Sequence, residues 1–120
     1  FANHPGLWGG AYRSAARGLA SHKYGHGHAI VVSGPAESAS AARLAAVAAL
    51  RAGAGLVTLA TPRAAFPVNA AHMTSVMVAP FDVPDGLTKV LADPRRNAVL
   101  LGPGGGTGEA MRRMVEIALA

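Results

Sequence analysis

Residues 29–60 read AIVVSGPAESASAARLAAVAALRAGAGLVTLA, and the fold is decided there. Positions 29–33 form an apolar run that stops at Gly34-Pro35. A short run of that kind, bounded by turn residues, fits a strand buried on both faces. Positions 41–50 hold a single charge, Arg43, before Arg51 closes the segment, and Ser38 or Ser40 can cap the first N–H groups of a helix there. A helix with so little polar surface needs protein on most sides. Gly53 and Gly55 follow, and a glycine just past the last helical residue takes the left-handed conformation that ends helices at little cost. Positions 56–60 are a second strand, closed by Thr61-Pro62. The stretch is one strand–helix–strand unit.

Downstream the pattern repeats. Positions 63–75 are helix-like with Pro67 starting the main part, 76–80 form a short apolar strand, 87–92 a helix ended by Asp93-Pro94, and 97–101 a fourth strand. The last segment, 109–120, sets Met111, Met114, Val115 and Ala118 on one face at helical spacing. Alternating strands and helices predict an α/β fold, a three-layer αβα arrangement with a mainly parallel sheet. Upstream, residues 1–24 read as an irregular leader with a short helix around 12–19. Trp8, the only tryptophan, would anchor it to the body.

Composition bounds the function. The 120 residues are 51% hydrophobic and 14% charged, which describes one core-heavy domain or part of one. No apolar run reaches the roughly 18 residues of a membrane span. The chain has no cysteine, which removes disulfides and thiolate metal sites and fits a reducing, cytoplasmic compartment. Residues 1–8 lack the basic start and apolar core of a secretory signal, and Phe1 is expected to follow a cut from something longer. The net charge of +5 raises nucleic-acid binding, but the basic residues stand singly or in pairs without aromatic interleaving, so neither a nucleic acid nor a membrane is the expected partner. Anionic small molecules such as nucleotides fit this charge.

His22, His26 and His28 lead into the first strand. Gly25 and Gly27 break the helix that would align His22 with His26, and no carboxylate lies near, so a metal site is not expected. Lys23 is a better candidate for an anion contact.

In parallel sheets ligands bind beyond the carboxyl ends of the strands. Two loops fall there, 33–40 and 102–108, the second reading GPGGGTG. Glycines let a backbone approach a phosphate, and the following helix offers unpaired N–H groups. Neither loop is a Walker A sequence or a complete G-x-G-x-x-G fingerprint. Tight packing between strand and helix is the competing explanation for the glycines.

At these residues the chain resembles the ADP- or ATP-dependent NAD(P)H-hydrate dehydratases of the ribokinase-like superfamily. The resemblance rests on His22-Lys23-Tyr24 with Gly27-His28, on AARLAA at 41–46, on ALRAGAGLVT at 49–58, and on NAVLLGPG at 97–104, which matches the family's strand and GPGLG loop. It implies that residues 25–120 are the amino-terminal part of such a domain, a partial ribokinase-like fold. It also implies a chemistry. Hydrated NADH or NADPH is the substrate and ADP or ATP the phosphoryl donor, with Mg2+ as a possible companion; phosphorylation of the added hydroxyl makes it a leaving group, and phosphate is then eliminated. Carried over by motif, Ala41 and Gly104 line the hydrate site, with Gly34 and Gly102 as further contacts.

The sequence also departs from the family. Ala39-Ser40 stands where Thr-Gly is usual, Gly105 where leucine is usual, and His26 where arginine is usual; these changes bear on ligand affinity rather than fold. The family's LTPH-type histidine and GAGD-type aspartate, its base, are absent from the chain. No catalytic residue is therefore assigned, and the chain alone is expected to be inactive and to associate with itself or with a carboxyl-terminal part. The alternatives are a sugar or vitamin kinase of the same superfamily and a non-catalytic nucleotide-binding module.

Overall fold

The computed structural model describes residues 23–120. The leader, Trp8, the helix around 12–19 and His22 lie outside the described residues. A 3-10 turn, Lys23–His26, enters strand β1 (His28–Val32), followed by a second 3-10 turn, Ala36–Ser38, and helix α1 (Ser40–Arg51). Then come β2 (Leu56–Pro62), a 3-10 turn (Arg63–Ala65) running into α2 (Phe66–His72), β3 (Met77–Phe81), α3 (Leu87–Leu91), β4 (Arg96–Leu100) and α4 (Glu109–Leu119).

The four strands are all parallel, in the order β3-β2-β1-β4. Successive side chains of a strand point to opposite faces, and each face has its own core. Val31, Val57 and Leu59 pack with Ala42 and Ala46 of α1 and with Val76. Ile30, Val32, Ala60 and Phe81 pack with Leu87 and Val90 of α3 and Met114 of α4. Helices therefore cover both sides, and the alanine-rich α1 lies close to the sheet because its buried positions carry only a methyl group.

Several boundaries differ from the sequence reading for local reasons. β2 runs on through Thr61 and Pro62, which pair with Pro80 and Phe81. α2 stops at His72 rather than 75, since Met73 is already extended. Gly53 does end α1 with φ +113. The serine cap is not realised: no side chain caps α1. On α4 the core-facing side is Met111, Met114 and Ile117, while Val115, Ala118 and Leu119 line a groove of about 380 Å³ beside β4.

The two sheet edges are unlike. β3 carries Pro80, which has no N–H and marks an edge strand. β4 has no proline, and Val99 and Leu100 are 37% and 42% exposed.

Candidate functional site

β1 leads through α1 to β2 on one side, whereas β4 lies on β1's other side. The order in which strands are laid across the sheet thus reverses at β1, and the crevice beyond the carboxyl ends of strands at such a point is where open α/β sheets bind ligands. The two glycine-bearing loops, 33–39 after β1 and 101–108 after β4, lie at those carboxyl ends.

They touch. The Ser38 hydroxyl donates to the Gly104 carbonyl at 2.7 Å. A Cβ built on Gly34 would collide with the Gly104 carbonyl oxygen and stand 2.6 Å from its carbon and 2.9 Å from Ser38 Oγ. A Cβ on Gly104 would collide with the Ser38 carbonyl oxygen, and its φ of +72 is itself a glycine conformation. Gly34 is buried beneath this contact.

Of the four residues picked out in the sequence, Gly34 and Gly104 are thus brought together: Gly104 fills the empty side of Gly34, and Ser38 fills that of Gly104. Gly102, with φ +126, and Gly106 have open space where a side chain would stand, so the outer part of the second loop presents bare backbone. Ala41 is exposed in the first turn of α1, where N–H groups have no intrahelical acceptor and no side chain caps them. Lys23 precedes β1, which puts it at the opposite end of the sheet from the loops.

Behind the crevice lies a polar cluster that sequence reading missed. Asn69 of α2 is fully buried. Its Nδ2 donates to Thr61 Oγ1 at 2.7 Å and Ser33 Oγ at 3.3 Å, and its Oδ1 accepts from Arg43 Nη1 at 3.2 Å. Ser33 passes its own proton to the Gly34 carbonyl at 2.9 Å. The available signal was weak: single hydroxyl residues at the ends of two apolar strands, and one asparagine among apolar neighbours on a short helix. The Arg43 of the AARLAA motif accordingly ties α1 to α2.

The carboxylates do not build a base or a metal site among the described residues. Asp82 pairs with Arg63, Asp85 with Arg113, Asp93 with Arg95, and Glu109 and Glu116 with Arg112. Hydrogen bonds from Arg63 and Arg95 hold Asp82 and Asp93 below the usual carboxylate range. Glu37 alone remains on the first loop, exposed. No group of three or more potential metal ligands occurs among the described residues. Among them, too, no helix is long and apolar enough to cross a membrane.

Comparison with known proteins gives one answer. A profile of the NAD(P)H-hydrate dehydratase family matches residues 29–120. The ADP-dependent (S)-NAD(P)H-hydrate dehydratase of Lactiplantibacillus plantarum is 33% identical over 100 residues, which are 83% of this chain and 35% of that protein. A ribokinase-like superfamily protein from Enterococcus faecalis superposes with a TM-score of 0.71 at 25% identity, over 86% of this chain and 36% of the other. The ADP/ATP-dependent NAD(P)H-hydrate dehydratase of Bacillus subtilis, co-crystallised with ATP/Mg2+, gives a TM-score of 0.66 at 26% identity, over 86% of this chain and 37% of that one. The chain thus spans about a third of the length of these relatives.

Proposed function

From the membership of this chain in the NAD(P)H-hydrate dehydratase family, we propose that it supplies one wall of a site that dehydrates hydrated NADH or NADPH at the expense of ADP or ATP. The observation that carries this reading is the meeting of the two family loops at the crevice between β1 and β4. Ala41, Gly104 and Gly102 face the ligand in this reading, with Gly34 beneath them. The open backbone of Gly102 and Gly106 and the uncapped first turn of α1 suit phosphate oxygens.

In the reaction, the phosphoryl group passes to the added hydroxyl oxygen, the C–O bond then breaks with loss of phosphate, and the ring double bond re-forms as a neighbouring proton leaves. This chain's residues bind and orient. The other carboxylates are paired with arginines and Glu37 stands exposed on the first loop; in this reading the base that takes the hydroxyl proton comes from the part of the domain that the relatives have beyond this length. That part would extend the sheet beside β4 and cover Val99, Leu100 and Leu119. Self-association through the same edge is the other way to cover it. A cytoplasmic location, where these cofactors turn over, suits the cysteine-free composition. The kinase alternative is not favoured, because the named relatives are dehydratases.

The test is recovery of the reduced-nicotinamide absorbance from NADPH hydrate with ADP or ATP. It is run with this chain alone and with a chimera carrying the remaining carboxyl-terminal length of the Lactiplantibacillus plantarum relative. Turnover in the chimera only is the expected result. Turnover by the chain alone would place the base within it and overturn the division of labour; a folded, ADP-binding chimera with no turnover would sink the dehydratase reading.

A further inference from the structure

We propose that Ser38 is a positioning residue, a hydroxyl clasp that fixes the spacing between the uncapped start of α1 and the glycine loop after β4. The proposal deepens the nucleotide-site reading above and rests on it for its ligand.

Three observations converge. Ser38 is where sequence logic puts a helix cap, two residues before the start of α1. Its hydroxyl proton goes elsewhere, across 66 positions of sequence, to the Gly104 carbonyl at 2.7 Å. Among the described residues its other acceptor, the Pro35 carbonyl, is at 3.5 Å; a single proton favours the shorter bond. The contact is then locked sterically from both sides. Gly34 has no room for a Cβ because Gly104 and Ser38 occupy that space, and Gly104 has none because of the Ser38 backbone.

The consequence for binding is geometric. A serine that capped α1 would consume one of the helix's free N–H groups and leave the second loop untied. A serine clasped to Gly104 leaves those N–H groups open and orients the peptide that follows Gly104, whose Gly105 N–H turns back to the Gly102 carbonyl at 3.0 Å. The two loops are then held at a fixed separation, which spares the ligand the cost of ordering them.

Two measurements on the full chain test this with Ser38→Ala, Ser38→Thr and Gly34→Ala. The first needs no ligand: amide hydrogen exchange at Gly105 and across 102–108. Ser38→Ala is expected to speed that exchange about fivefold, the equivalent of one ordinary hydrogen bond, with the melting temperature lowered by only a few degrees; Ser38→Thr restores the slow rate, and Gly34→Ala exceeds the Ser38→Ala effect. The second is calorimetric titration with ADP and with NADPH hydrate, where Ser38→Ala is expected to weaken binding by a similar factor and Ser38→Thr to restore it. Unchanged exchange in Ser38→Ala, or a threonine variant that behaves like alanine, would overturn the clasp. If no variant binds either ligand while the exchange pattern holds, the clasp stands as a loop tie and the ligand assignment falls.

Discussion

The two ends of the sheet each bury a polar cluster, and they are built from different chemistry. At the carboxyl end Asn69 is the hub, and its amide is fully used: one oxygen accepts from Arg43, and two protons go to Thr61 and Ser33. At the amino end the hub is His28, 6% exposed, whose Nε2 lies 2.8 Å from Thr58 Oγ1. Its backbone N–H donates at 3.1 Å to the Oδ1 of Asn97, the residue that β4 skips in its pairing between His28 and Ala29. A Cβ on Gly27 would crowd that same oxygen at 2.9 Å, and Gly27 has φ +79. The first cluster contains an amide, hydroxyls and a permanently charged guanidinium, so it does not titrate near neutrality. The second contains an imidazole. Burial lowers its pKa below 6.5, with Arg96 and Arg95 acting in the same direction and Asp93 opposing. Of these two clusters, the pH-sensitive one is thus at the amino end of the sheet.

The sharpest way to break this contrast is Asn69→Leu. It leaves Ser33, Thr61 and Arg43 without their shared partner, and we expect a loss of about 3 kcal/mol in stability, read as a lower urea midpoint at an unchanged slope. A loss no larger than that of an exposed alanine substitution would mean that water fills the role of the amide.

At the amino end the expected effect is smaller and depends on pH. Because the folded-state pKa of His28 is lowered, the unfolded chain binds the proton more readily. The stability from the neutral imidazole is complete above pH 6.5 and declines as pH falls below it toward the folded value. Melting curves between pH 7.5 and 5 should show this decline in the wild type and a flatter profile in His28→Gln. Identical slopes would assign the decline to other groups. Asp82 and Asp93, held low by their arginines, lose their contribution only once pH falls below 3.8, so the windows separate.

The smallest effect tests the glycine loop itself. A Cβ on Gly105 would meet the flexible tip of Met111, which can swing aside. Gly105→Ala should therefore cost no more than about 0.5 kcal/mol, in contrast to Gly34→Ala, where rigid backbone is in the way. A large loss at Gly105 would show that the Met111 tip is pinned.

Much of this architecture was legible before any coordinates. The strand–turn–helix punctuation around Gly34, Gly53 and Gly102 is local, and parallel order follows from alternation alone. The two loops were legible too, because loops at strand ends have one place to go. The clasp and the Asn69 hub were not. A serine before a helix looks like a cap, and only the approach of β4 reveals an acceptor 66 residues away that outcompetes it. Asn69 likewise looks like an ordinary helix residue until β1, β2 and α1 converge on it. The Met111 tip beside Gly105 also bears on the departure at that position: the methionine reaches the space that a larger residue at 105 would take.

Pro80 gives the sheet a direction of growth. With β3 carrying a residue that cannot donate and β4 lacking any such stop, the next strand to join, from whatever source, is favoured beside β4. A parallel newcomer there would end next to the 102–108 loop and form the opposite bank of the crevice. A second copy joining edge to edge about a two-fold axis would run antiparallel and end at the wrong pole. Completing the ligand site and self-pairing are therefore competing uses of one strand, and the orientation of the newcomer decides between a receptor and an aggregate.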